Sequence, residues 1–118
     1  MKYIIYEDVG IDYRFKDIPN IISIEMISEK NCKIKSMISS FENSTNLKKI
    51  IIKGFDTSKV KSMKKLFYKT SISEIDLSEI NTESIEDMSY MLGFTNIEKL
   101  NLSNFNSSNV ENISYMFQ

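Results

Sequence analysis

The feature that most constrains this 118-residue chain is self-similarity at a fixed spacing. The segments "NLKKIIIKGFDTSKVKSMKKLF" (46–67), "SISEIDLSEINTESIEDMSYML" (71–92) and "NIEKLNLSNFNSSNVENISYMF" (96–117) align without a gap at a period of 25 residues. Eight apolar columns run through all three. They are Leu47/Ile72/Ile97, Ile50/Ile75/Leu100, Ile52/Leu77/Leu102, Phe55/Ile80/Phe105, Val60/Ile85/Val110, Met63/Met88/Ile113, Leu66/Met91/Met116 and Phe67/Leu92/Phe117. Two polar columns, Asp56/Asn81/Asn106 and Thr57/Thr82/Ser107, lie between them. A degenerate copy precedes these units. With one extra residue of spacing, "KIKSMISSF" (33–41) matches "KVKSMKKLF" (59–67), and Ile21, Ile24 and Met26 answer to Leu47, Ile50 and Ile52.

A unit of this length cannot bury its apolar face alone, so neighbouring units must stack and share one core. The head of each unit reads L-x-x-I-x-I, with apolar and outward residues alternating as in a strand. In the return segment Met63, Leu66 and Phe67 are spaced i, i+3 and i+4, which predicts a short helix. Ser62, Asp87 and Asn112 stand where N-caps belong, and Gly93 where a C-cap would. The expected fold is therefore an α/β solenoid: a short leucine-rich-repeat right-handed superhelix with one strand and one short helix per repeat. Its repeats span 20–45, 46–70, 71–95 and 96–118. Residues 1–19 do not fit the repeat; "YIIY" and "IDYRF" flank "EDVG", which predicts a β-hairpin serving as the N-terminal cap. The Asp/Asn and Thr/Ser columns read as hydrogen-bonding ladders within the stack rather than as ligands. The stretch 101–117, in which nine of seventeen residues are Asn or Ser, is on this reading a folded unit and not a low-complexity tail.

Composition narrows the function classes. With a net charge of −1 and charges of both signs along the chain, no field is expected to gather nucleic acid, and no run is apolar enough for membrane insertion. There is no histidine and a single cysteine, Cys32, so an internal disulfide is impossible and the usual zinc sets cannot be assembled. The commonest proton-transfer residue is missing too. No cofactor, no metal site and no catalytic residues are expected, and Cys32 is assigned to a turn or the core. The N-terminus carries no signal-peptide pattern, which leaves a cytoplasmic location open.

The motif [LI]-x-[LI]-S-x-[FI]-[DN]-[TS]-x-x-[VI]-x-x-[MI]-x-x-[ML]-[FL] closely resembles the BspA-like leucine-rich-repeat surface protein family. "LSNFNSSNVENISYMF" is close to the LSNFDTSNVTNMSYMF-type units of bacterial surface proteins and lipoproteins. The resemblance covers 46–118 well and 20–45 weakly. It implies a cell-surface or secreted protein that acts in adhesion or in host or partner interaction, through the concave strand face. On that model the outward strand residues Glu25, Lys49, Ile51, Lys53, Glu74, Asp76, Lys99 and Asn101 form the candidate binding face. Tyr90, Phe94 and Tyr115 are the candidate exposed aromatics on the return side. Two functions are carried forward. One is a non-catalytic protein-binding module; the other is a structural assembly unit that self-associates as a homo-oligomer through its C-terminal repeat, where Met116 and Phe117 are followed only by Gln118.

Overall fold

A computed structural model of the chain describes residues 2–5, 9–76, 78–101, 105, 106 and 108–117, with the backbone alone described for 2–5 and 9. The predicted column members Leu77, Leu102 and Ser107 lie outside the described residues. Among the described residues seven strands are formed: β1 (Lys2–Ile5), β2 (Val9–Gly10), β3 (Ser23–Ser28), β4 (Ile34–Ser36), β5 (Lys49–Lys53), β6 (Glu74–Asp76) and β7 (Lys99–Asn101). They make three small sheets, ordered β1-β3-β5, β2-β4 and β6-β7, and every pairing is parallel.

The predicted α/β solenoid is not what these residues build. No helix occurs among the described residues, and the strands are divided among three short sheets instead of lining one continuous superhelix. The backbone of the return segments shows why. In the 63–70 segment, alternate amides leave the segment: the N–H groups of Met63, Lys65, Phe67 and Lys69 donate to the carbonyls of Asp87, Ser89, Met91 and Gly93, at 2.9–3.0 Å. The intervening amides of Leu66, Tyr68 and Thr70 close four-residue turns onto the carbonyls of Met63, Lys65 and Phe67. Half of the donors that an α-helix would spend on its own i−4 carbonyls thus serve the next unit of the stack. Lys65 and Lys69 adopt left-handed backbone (φ 53° and 57°), which interrupts any helical run. The same pair of left-handed positions recurs at Tyr13 and Asp17, Ser39 and Asn43, and Tyr90 and Phe94. Gly93 is not a helix cap, and Ser62, Asp87 and Asn112 cap turns instead. The Ser62 hydroxyl and the Asp87 and Asn112 side-chain oxygens accept from the amides two residues on, at 2.9–3.2 Å.

The N-terminal segment departs from the predicted hairpin. β1 pairs in parallel with β3 and β2 in parallel with β4, so the two do not pair with each other. Beyond β2, the amides of Ile11, Tyr13, Phe15 and Asp17 donate to the carbonyls of Ser36, Ile38, Ser40 and Glu42. "IDYRF" is therefore a return segment like "MISSF" and "MKKLF", and residues 2–5 and 9–17 add one more tier rather than a cap of a different kind. The missed signal was Ile11 and Phe15, which lead the columns of Met37 and Phe41.

The apolar columns form the core. Ile24, Met26, Met37, Phe41, Leu47, Met63, Leu66, Ile72, Ile85, Met88 and Met91 are all within 1% of complete burial. Phe15, Phe41 and Phe67 stack face to face through three tiers, with ring centroids 5.5 and 5.7 Å apart and planes within 8°. The buried Thr57 hydroxyl donates to the Asn81 carbonyl and accepts from the Asn81 amide (3.2 and 2.8 Å), and Thr82 repeats this with Asn106 (3.1 and 2.7 Å). Asn81 and Asn106 themselves hold turns by accepting from the amides of Glu83 and Ser108. These side chains are consumed by backbone, as their column pattern suggested. Cys32 is buried, its amide held by the Ser28 hydroxyl at 2.9 Å.

Candidate interaction surface on the strand face

The eight predicted strand residues fall on two separate sheets. Glu25, Lys49, Ile51 and Lys53 belong to β3 and β5, where Glu25 stands beside Ile51 in register. Glu74, Asp76, Lys99 and Asn101 belong to β6 and β7, where Glu74 stands beside Lys99 and Asp76 beside Asn101. An open depression of about 600 Å³ spans the two sheets, and Lys49, Ile51, Glu74, Asp76, Lys99 and Asn101 all line it. Lys53 lines an adjoining depression of about 330 Å³ together with Ile51 and Asp76. Glu25 is half-buried and lines neither.

Two acids of this face, Glu74 and Asp76, are already engaged. Glu74 Oε1 lies 3.4 Å from Lys99 Nζ, an exposed pair worth about 0–1 kcal/mol. The Ser78 hydroxyl and amide both donate to Asp76 and hold its carboxyl below the usual aspartate range, with the Asn101 side chain adding to the effect. The hydroxyl and amide of Ser58 do the same for Asp56 at the start of the turn after β5. Both carboxylates are thus held in their ionised form by turn geometry, which suits fixed surface charges rather than proton donors.

Charge is not mixed evenly along the chain. The unit 46–70 contains eight lysines and one acid, Asp56, whereas 71–95 contains six acids and no base. The stack sets these two units side by side, so the strand-face depression has a lysine wall on β5 and a carboxylate wall on β6. Whole-chain charge hid this, and counting charge repeat by repeat reveals it.

Tyr90, Phe94 and Tyr115 come together on the return side. Tyr90 and Tyr115 stack at 4.8 Å, and Tyr68 makes edge contacts with both Tyr90 (5.9 Å) and Phe94 (5.6 Å). Lys65 sits over Tyr68 and Tyr90, and Lys69 over Tyr68 and Phe94, at 5.3–5.8 Å from the ring centroids. Tyr68, Lys65 and Lys69 were not singled out from sequence, because their column changes residue type from one unit to the next. The ammonium groups are already placed on ring faces, and Lys65 also lies 3.8 Å from Glu42, which pairs with Lys16 as well. This cluster knits the return segments together. Among the described residues no three His, Cys, Asp or Glu side chains converge as a metal-binding set.

Residues 13–118 match the family model described as "Mycoplasma protein of unknown function, DUF285". The chain belongs to this family. The match takes in nearly all of the stacked tiers, including the return segment from Tyr13 that sequence reading had set apart as a cap. No curated protein and no solved structure matches the DUF285 chain.

Proposed function

We propose that this DUF285 chain is a non-catalytic protein-binding module of the BspA-like leucine-rich-repeat kind, which meets its partner through the strand face. The observation that carries the reading is the convergence of six outward strand residues from β5, β6 and β7 on one open depression. Exposed charge set on the strands of two parallel sheets can be complementary to a partner without any change of fold. Adhesion or host interaction follows from the BspA-like resemblance and is part of the same proposal.

The test is partner capture from surface extracts by the immobilised chain and a fourfold charge-reversed variant (Lys49→Glu, Lys53→Glu, Glu74→Lys, Asp76→Lys). Every substituted side chain is exposed, so the fold is expected to survive, and circular dichroism checks this. Captured proteins should be lost with the variant and retained when Phe94 is changed to Ala on the opposite side. Equal capture by both would sink the strand-face reading.

A second reading, self-assembly through the last tier, is favoured by one observation. Ile113 and Phe117 are 64% and 66% exposed, whereas their column partners Met88 and Leu92 are 0% and 1% exposed. Light scattering across a concentration series should then show association that Ile113→Ser with Phe117→Ser abolishes; a strict monomer removes this reading.

A further inference from the structure

The return segments pass hydrogen bonds along the stack in one direction. The amides of Tyr13 and Phe15 donate to the carbonyls of Ile38 and Ser40, and those of Tyr90 and Leu92 to the carbonyls of Ser114 and Met116, at 2.8–3.0 Å. Each return segment therefore shows donors to the tier after it and acceptors to the tier before it. The two end tiers keep the unused halves of this pattern. Among the described residues the amides of Ile113, Tyr115 and Phe117 in the last tier have no hydrogen-bond partner, and neither do the carbonyls of Asp12, Arg14 and Lys16 in the first.

The side chains of the two ends differ as well. At the tail Ile113, Tyr115 and Phe117 are 64%, 53% and 66% exposed. At the head Ile11 and Phe15 are buried. Arg14 stands in the inward column of Ser40, Leu66 and Met91, and its guanidinium lies over the Phe15 ring, 6.0 Å from the centroid. A charge in an apolar column at the end of a stack guards against end-to-end pairing. Arg14 is exposed and, among the described residues, in no ion pair, so nothing there fixes it over the ring.

Backbone polarity selects the occupant of the open tail. Two tails brought together set donors against donors, whereas a head laid on a tail sets donors against carbonyls. The geometry points to head-to-tail stacking of copies of this chain, in which the first return segment of one copy continues the last return segment of another and Arg14 limits how readily the ends meet. The register is that of the stack: Tyr90 donates to Ser114, the residue before its column-mate Tyr115, and Tyr115 would donate in the same way to Asp12 of the next copy, the residue before Tyr13. Such a contact is heterologous, so assembly need not stop at a dimer. This proposal rests on the self-assembly reading above and names both the partner surface and the direction.

Tyr13→Cys and Tyr115→Cys variants test it, oxidised with copper phenanthroline singly and as an equimolar mixture, with circular dichroism to check each fold; the native Cys32 is buried. Column-mates in successive tiers lie about one strand spacing apart, about 4.8 Å, within the reach of a disulfide. The mixture should give a dimer linked 13 to 115, and neither variant alone should cross-link. A dominant 115–115 dimer overturns head-to-tail stacking and leaves the self-assembly reading standing. No cross-link in the mixture, with a strict monomer in light scattering, removes both. Arg14→Leu, which puts the residue type of Leu66 in that column, should strengthen association about tenfold, and Ile113→Ser with Phe117→Ser should cancel the gain. Association no stronger than that of the parent overturns the role given to Arg14.

Discussion

Replacing Phe41 by alanine is expected to lower the free energy of unfolding by about 3–5 kcal/mol, the range for a large aromatic removed from a packed core. Phe41 is completely buried and stacks on both Phe15 and Phe67, so its removal deprives the tiers on either side at once. Each aromatic pair adds about 0.5–1.5 kcal/mol beyond area burial. Units in a stack lend one another stability, so the loss should appear as earlier unfolding of the whole chain rather than local fraying. Urea denaturation followed by circular dichroism measures it. Phe94→Ala, at a site 66% exposed where only the edge contact with Tyr68 and the Lys69 ammonium are lost, is the control and should cost no more than about 1–2 kcal/mol. A Phe41→Ala midpoint equal to that of the control would show that the stacked ring column does not hold the core.

The second large effect is expected at Gly54, where β5 ends. Its φ is +76°, and a Cβ built there would overlap the Ser28 carbonyl oxygen at the end of β3. Gly54→Ala therefore meets two penalties, left-handed backbone at about 1–2 kcal/mol and overpacking at about 1–3 kcal/mol. A loss of about 2–5 kcal/mol in unfolding free energy is expected. Gly54→Asn separates the causes, because asparagine tolerates left-handed backbone but still carries a Cβ. If the overlap dominates, Asn is as damaging as Ala; if both variants unfold like the parent, the close approach of β5 to Ser28 is wrong.

Much of the core, though not the fold class, is legible in the sequence, for an identifiable reason. The columns through Leu47 and Ile72, Val60 and Ile85, and Met63 and Met88 are buried where the period places them, because identical spacing puts like residues in like positions of successive tiers. The Thr57 and Thr82 ladder was legible for the same reason. The candidate strand residues were correctly placed on strands, but their division between two sheets was not visible. The return segments were misread because Met63, Leu66 and Phe67 bury equally well on a helix face or along a chain of turns. Apolar spacing reports which side chains face inward, not where the backbone amides go.

That difference marks the boundary between the two sources of information. The sequence by itself determined the period, the inward columns, the capping side chains and the uneven charge of successive repeats, all of which depend on residue type at a fixed spacing. Only the tertiary structure decided that alternate amides of each return segment bond to the next tier, that β1 and β2 join the stack in parallel, and that β5 and β6 fall in different sheets. Each of these is a choice of hydrogen-bond partner about 25 residues away, and no local pattern encodes it.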